Sequence, residues 1–220
     1  MRSLLLAACM VFTATGAALA QDPATAHSSQ YHVVLDNAEV RVLHVMVKPG
    51  AKNAMHDHPD HLAVMLTDSK VRFAMPDGTS SDIDGKIGDA VFVPAGKHAG
   101  ENTGAGPLEA IIVELKGSQP AKATLPPSRP GIKSTSLVDN PRVAAVRATA
   151  DPTFSEPAGT THDYSQVVIA LGAGDFTLSV DGKATTTWKK GDARYIGRGV
   201  THESKNTGGK PLDFVIVAIK

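Results

Sequence analysis

The sequence predicts an all-β protein built from two copies of one small sandwich or barrel. Three observations predict it. Short runs rich in β-branched residues recur along the chain, each bounded by Gly, Pro, Asn or Asp. No long stretch carries helical periodicity. Most informative, the chain repeats itself. Gly88-Asp89-Ala90-Val91-Phe92-Val93-Pro94-Ala95-Gly96-Lys97-His98, with Asn102-Thr103-Gly104 and Pro107-Leu108 after it, is echoed further on. The echo is Gly191-Asp192-Ala193-Arg194-Tyr195-Ile196-Gly197-Arg198-Gly199-Val200-Thr201-His202, then Asn206-Thr207-Gly208 and Pro211-Leu212. Asp36-Asn37 likewise matches Asp139-Asn140, and Asp77-Gly78 matches Asp181-Gly182. Matching order and spacing over that length imply two copies of one unit.

In chain order, residues 1–20 read as a signal peptide. Arg2 supplies the positive start, and residues 4–11 are apolar but too short to span a bilayer. Ala18-Leu19-Ala20 offers small residues for cleavage before Gln21. The protein is then expected in the periplasm or secreted. Lipid attachment at Cys9 is the lesser alternative, because it leaves almost no apolar region ahead of the cysteine. Cys9 is the only cysteine, so cleavage leaves no disulfide and no thiol chemistry.

Residues 21–30 are polar and are expected to be a flexible lead-in. Strands are expected at 31–35, 40–47, 62–66, 71–75, 90–93 and 108–115, with turns at Pro49-Gly50 and Pro76-Asp77-Gly78. These make a first barrel over 31–116. Residues 117–133 hold Pro120, Pro126, Pro127 and Pro130 and read as a linker. The second barrel, 134–220, ends on a strand, 212–219, that matches 108–115. Gly88 and Gly191 are expected in tight turns, and Asn102 and Asn206 in turns of their own. Phe73, Met75 and Phe92 are expected in the core, which in a small barrel also lines a pocket.

The formal charge is zero, with 22 basic and 22 acidic residues and no basic face, so nucleic acid and anionic membranes are not expected partners. A small-molecule substrate or ligand is expected instead, and a homo-oligomer is open.

Histidine carries the chemistry. Six of the nine histidines fall at positions defined by the repeat. In a strand, His56 and His58 point to one face, where two imidazoles can share an ion. His98 follows the Pro94-Ala95-Gly96 turn and is the natural third ligand, and His61 a possible fourth. Four neutral nitrogens suit Fe, Mn, Ni, Cu or Zn rather than Mg or Ca. The plainer reading of any one of these histidines is a core-edge side chain. The second copy offers only His162, Gln166 and His202 at matching places, a poor closed site, with Asp163 and Tyr164 as possible lining of a separate pocket.

These residues resemble the cupin superfamily, whose unit is a double-stranded β-helix, or jelly-roll barrel. Its first motif runs from a glycine to His-x-His and then to a glutamate. Here Gly50 leads to His56-Asp57-His58, and His61 stands where the family has glutamate. Its second motif is matched by Gly88, Pro94, Gly96, His98 and Asn102. The resemblance covers nearly the whole chain after residue 20, as a bicupin. It implies His56, His58 and His98 as ligands, with His61 as a fourth, around one divalent metal, Fe or Mn before Ni, Cu or Zn. The missing glutamate argues against glutamate-dependent reactions such as oxalate decarboxylation. The implied activity is a metal-dependent, dioxygenase-like oxidation. The rivals are a non-catalytic ligand-binding barrel and an isomerase or epimerase using one His as base.

Overall fold

The structure, a computed structural model, describes residues 21–117, 123, 128 and 130–220. The expected signal peptide and most of the expected linker lie outside the described residues. The first unit contains a short helix α1 (Pro23–Ala26) and strands β1 (Tyr31–Asp36), β2 (Val40–Val47), β3 (Lys52–His58), β4 (His61–Met65), β5 (Ser69–Ala74), β6 (Ser80–Gly85), β7 (Ala90–Val93), β8 (Gly96–Asn102) and β9 (Leu108–Leu115). The second contains β10 (Ile132–Asp139), β11 (Val143–Ala150), β12 (Ser155–Thr160), β13 (Ser165–Ala170), β14 (Gly174–Val180), β15 (Lys183–Trp188), β16 (Ala193–Ile196), β17 (His202–Asn206) and β18 (Leu212–Ile219).

Each unit is two antiparallel sheets. In the first they run β1-β2-β9-β4-β7 and β3-β8-β5-β6. In the second they run β10-β11-β18-β13-β16 and β12-β17-β14-β15, the same order shifted by nine strands. The repeat seen in the sequence is therefore a repeat of topology. Strand β6 carried no apolar alternation, because Ser80 to Asp84 lie on an edge with four of those five side chains exposed. Strand β10 starts at Ile132, just inside the expected linker. Residues 21–30, expected to be a flexible lead-in, carry α1 capped by Asp22, and the Asp22 carboxylate pairs with Arg41 of β2.

Strand alternation sorts the side chains of the five-stranded sheets. Val40, Val42, Leu62, Val64, Leu66, Ile111 and Val113 join Val143, Ala145, Val167, Ile169, Val215 and Val217 in one apolar layer. The two large sheets thus pack on each other across the two barrels. The alternate residues, Leu43, Val45, Val47, Leu108 and Ile112, face into the first barrel.

Gly88 and Gly191 hold φ of +86° and +87°, which L side chains rarely adopt, and a Cβ on Gly191 would stand 3.0 Å from Leu66. Asn102 and Asn206 close matching turns. Asn102 donates to the carbonyls of Val47 and Gly106, and Asn206 to those of Ala150 and Lys210.

The interiors differ. The second barrel is packed around Phe154, Phe176, Trp188 and Phe214. Trp188 is fully buried, and its indole N–H donates to the Phe176 carbonyl at 2.8 Å. The pairing registers place Val71, Gly85 and Ala110 where the second barrel has Phe176, Trp188 and Phe214. Three large side chains are replaced by three small ones. The first barrel accordingly keeps a cavity of about 250 Å³, against about 70 Å³ in the second.

Candidate metal centre

His56, His58 and His98 meet inside the first barrel. Strand β3 pairs with β8 so that His56 stands opposite His98. One ligand nitrogen from each of His56, His58 and His98 lies within 4.8 Å of the others. Their rings are 4.7 to 5.3 Å apart between centroids. All three residues are buried.

The hydrogen bonds orient the rings. A carbonyl only accepts, so His56 Nδ1 must donate to the Ala54 carbonyl at 2.8 Å, which turns Nε2 inward. The Tyr31 hydroxyl lies 3.3 Å from that Nε2. His58 Nδ1 donates to the Glu114 carboxylate at 2.7 Å. Its Nε2 is buried and has no hydrogen-bond partner. A buried polar atom without a partner is costly and rare in folded proteins. A metal ion beside His56 and His98 satisfies it, so the residues present fit such an ion.

Sequence reasoning missed Glu114, along with the residue behind it. Glu114 is 1% exposed and receives the Arg41 Nε–H at 2.5 Å, while Arg41 also pairs with Asp22. A chain of partners thus runs His58, Glu114, Arg41, Asp22. Such a carboxylate behind a histidine fixes its tautomer and raises its basicity as a ligand. Burial alone would push the Glu114 carboxyl up, but hydrogen bonds from His58 and Arg41 outweigh it and hold the group ionised. The second barrel lacks this support. The partners facing each other as Arg41 and Glu114 are there Ala144 and Ala218.

His61 is buried and lies with its ring 4.7 Å from that of His58, but its nitrogens fall outside the three-histidine group. Its Nδ1 donates to the Pro59 carbonyl at 2.9 Å. It lines the 250 Å³ cavity together with His98. Phe73, Met75 and Phe92 line the same cavity, as expected, and Phe73 meets His98 edge to face at 4.9 Å. Burial pushes His56 and His61 down to about 4 and His98 down to about 3. These rings are neutral near pH 7, the form that binds metal.

In the second barrel, the rings of His162 and His202 lie 4.8 Å apart between centroids. Gln166 sits where the first barrel has His61 and lines the small cavity. The acidic partner is instead Glu156, which sequence reasoning did not single out. Tyr164 stacks on His162 with ring centroids 4.9 Å apart. Asp163 is exposed. Among the described residues, no helix is long and apolar enough to cross a membrane.

No family model matches the chain, and no curated protein matches it in sequence. Solved structures do match in fold. AerE from Microcystis aeruginosa is similar over 87% of this chain and 97% of its own, with a TM-score of 0.66 and 13% identity. Salicylate 1,2-dioxygenase from Pseudaminobacter salicylatoxidans is similar over 83% of this chain and 71% of its own, with a TM-score of 0.61 and 13% identity. Oxalate decarboxylase from Bacillus subtilis, whose Mn(II) centres have been studied, is similar over 87% of this chain and 76% of its own, with a TM-score of 0.61 and 16% identity. With the doubled strand order and the paired sheets of each barrel, these likenesses show that the chain has the cupin superfamily fold, as a bicupin.

Proposed function

We propose that this protein is a metal-dependent oxidoreductase of dioxygenase type that acts on a small, neutral organic substrate in its first barrel. One observation carries the reading. His58 Nε2 is buried without a partner beside His56 and His98, and His98 also borders the 250 Å³ cavity. Fe or Mn is favoured, and Ni, Cu and Zn also suit the donors. A transition metal held there supplies a Lewis-acidic, redox-capable centre with open coordination positions.

The rest is the work of the chain's own residues. Glu114 holds His58 in one tautomer. Phe73, Met75 and Phe92 keep the cavity dry, which strengthens every polar contact made inside it. His61, with Nδ1 engaged by Pro59, offers Nε2 as the acceptor for a substrate proton. Among the described residues no Lys or Arg lines the cavity, and the one charged side chain on its wall is Glu101. Beyond the metal itself, that lining offers a carboxylate no cation to meet it, which favours neutral substrates over carboxylates such as oxalate or gentisate.

The test is to reconstitute metal-free protein separately with Fe(II), Mn(II), Cu(II) and Zn(II). Oxygen uptake is then followed with neutral diketones, catechols and flavonols beside carboxylates such as gentisate. Uptake on neutral compounds with Fe, Mn or Cu but not with Zn is expected. Turnover that needs no oxygen and persists with Zn overturns the dioxygenase reading in favour of an isomerase. Silence with every metal, alongside binding of apolar ligands, favours a non-catalytic barrel, the reading that the apolar cavity by itself supports.

Export belongs to the same proposal. It is supported by the apolar run 4–11 and the small residues Ala18 and Ala20. An intact mass beginning at Gln21 is expected, and a lipid on Cys9 would overturn it.

A further inference from the structure

We propose that the second barrel has changed its donor set rather than lost it, and holds a divalent transition metal of its own on Glu156, His162 and His202.

The pairing registers identify the change. Thr160 faces His202 as His56 faces His98, so the first histidine of the pair has become threonine. Glu156 faces Ser204 as Asn53 faces Gly100. In the first barrel Asn53 is a neutral brace, its side-chain oxygen accepting the Gly100 N–H at 2.6 Å and its amide N–H donating to the Tyr31 hydroxyl at 3.1 Å. The second barrel has a carboxylate at that place. A bulge between Glu156 and Thr160 separates the two positions, and from there the glutamate reaches the histidines. Ligand atoms of Glu156, His162 and His202 all lie within 4.8 Å of one another. Ligands about 2.1 Å from one ion stand at most about 4.2 Å apart, so only small shifts close the set.

The hydrogen bonds agree. His202 Nδ1 donates to the Val200 carbonyl at 3.3 Å, which leaves the lone pair of Nε2 facing Glu156 Oε2, also at 3.3 Å. Two acceptors face to face call for positive charge at that point. The Ser204 hydroxyl donates to the same carboxylate at 2.9 Å and fixes its direction. The approach of His162, its ring 4.8 Å from that of His202, makes three donors and suits an ion. The cavity of about 70 Å³ has room for an ion and a few waters. Two imidazoles and one carboxylate with open positions form a set that takes Fe(II) and its neighbours in the first transition row. This site differs in kind from the three-imidazole set of the first barrel. It needs no contribution from Gln166.

The experiment is a Co(II) titration of the metal-stripped full chain, by calorimetry and visible absorption. Two Co(II) per chain are expected, with different d–d spectra. Glu156→Gln, nearly isosteric, removes one event and leaves the affinity of the other within about twofold. His58→Ala removes the other event and spares the one that depends on Glu156. His162→Ala, at a half-buried position, repeats the Glu156→Gln result if that variant folds poorly by circular dichroism. A Glu156→Gln protein that binds as many Co(II) as the parent, whether one or two, overturns the proposal. Failure of the first-barrel reading shows separately, as a His58→Ala protein that loses nothing.

Discussion

Glu114 and His58 meet at 2.7 Å in the interior of the first barrel, and neither side chain is more than 1% exposed. The pair converts a strand residue 56 positions after His58 into part of the metal site. Its partner on the other side, Arg41, is joined in turn to the segment that precedes the first strand. The orientation of one metal ligand therefore depends on where residues 21–30 lie.

The first prediction concerns this pair. Glu114→Gln keeps the shape but weakens the acceptor behind His58. Metal affinity is expected to fall about 10–100-fold, the usual effect of losing such a partner. Competition with a chromogenic chelator measures it. Unchanged affinity would show that the carboxylate is only a fold element.

Acid stability gives the second. His56, His61 and His98 titrate at about 4, 4 and 3 in the fold, below the 6.5 of an ordinary imidazole. Between those values the unfolded chain binds protons that the native state refuses, so native stability falls as pH drops. The metal-free protein is expected to lose urea resistance from about pH 6.5 downward, well above the carboxylate range. Urea midpoints at pH 7.5, 6.5, 5.5 and 4.5 test the sign. A flat profile to pH 4.5 would contradict the burial of these rings.

Much of this was legible in the sequence, and the reasons for the gaps are physical. The repeat, the turn glycines and the His-x-His pair are local signals, and they point to a doubled β fold and to histidines that the structure brings together. Glu114 was hidden because β9 is apolar on both faces. One sheet face packs on the other barrel and the next faces the interior, so period-two alternation, the signal for an inward acid, is erased. Glu156 was hidden differently. It precedes the histidine motif and reaches the site only through a bulge, and a bulge leaves no mark in composition. The cavity was invisible because it comes from three coincident small residues on three separate strands.

Those three residues carry a third prediction. Ala110→Phe restores in the first barrel the side chain present in the second as Phe214. Metal content is expected to be unchanged while apolar ligand binding and turnover disappear. Metal analysis beside ligand titration by intrinsic or probe fluorescence separates the two effects. Loss of metal together with ligand would place the cavity residue in the wrong role.

The converse change tests the packing of the second barrel. Phe214 is 2% exposed and meets the rings of Phe176 and Trp188 at 4.8 and 5.4 Å. Phe214→Ala is expected to cost about 3–5 kcal/mol, the range for a large aromatic removed from a core. Chemical denaturation measures the loss. A cost below about 1 kcal/mol would mean that the barrel collapses easily around the vacancy.

The shared layer between the two large sheets has a bearing on how such a molecule comes apart. Each five-stranded sheet is covered on one side by its own barrel and on the other by its twin, so neither half has a water-facing version of that surface. A half expressed alone, ending at Leu115 or starting at Ile132, would carry Val42, Leu62 and Val113, or Val143, Ile169 and Val215, into solvent as one oily plane. Two such fragments have every reason to seek each other, or a second copy of themselves, across that plane. The tandem chain thus behaves as a dimer whose subunits have been tied together, and the tether frees one subunit to alter its chemistry while still serving as the other's wall.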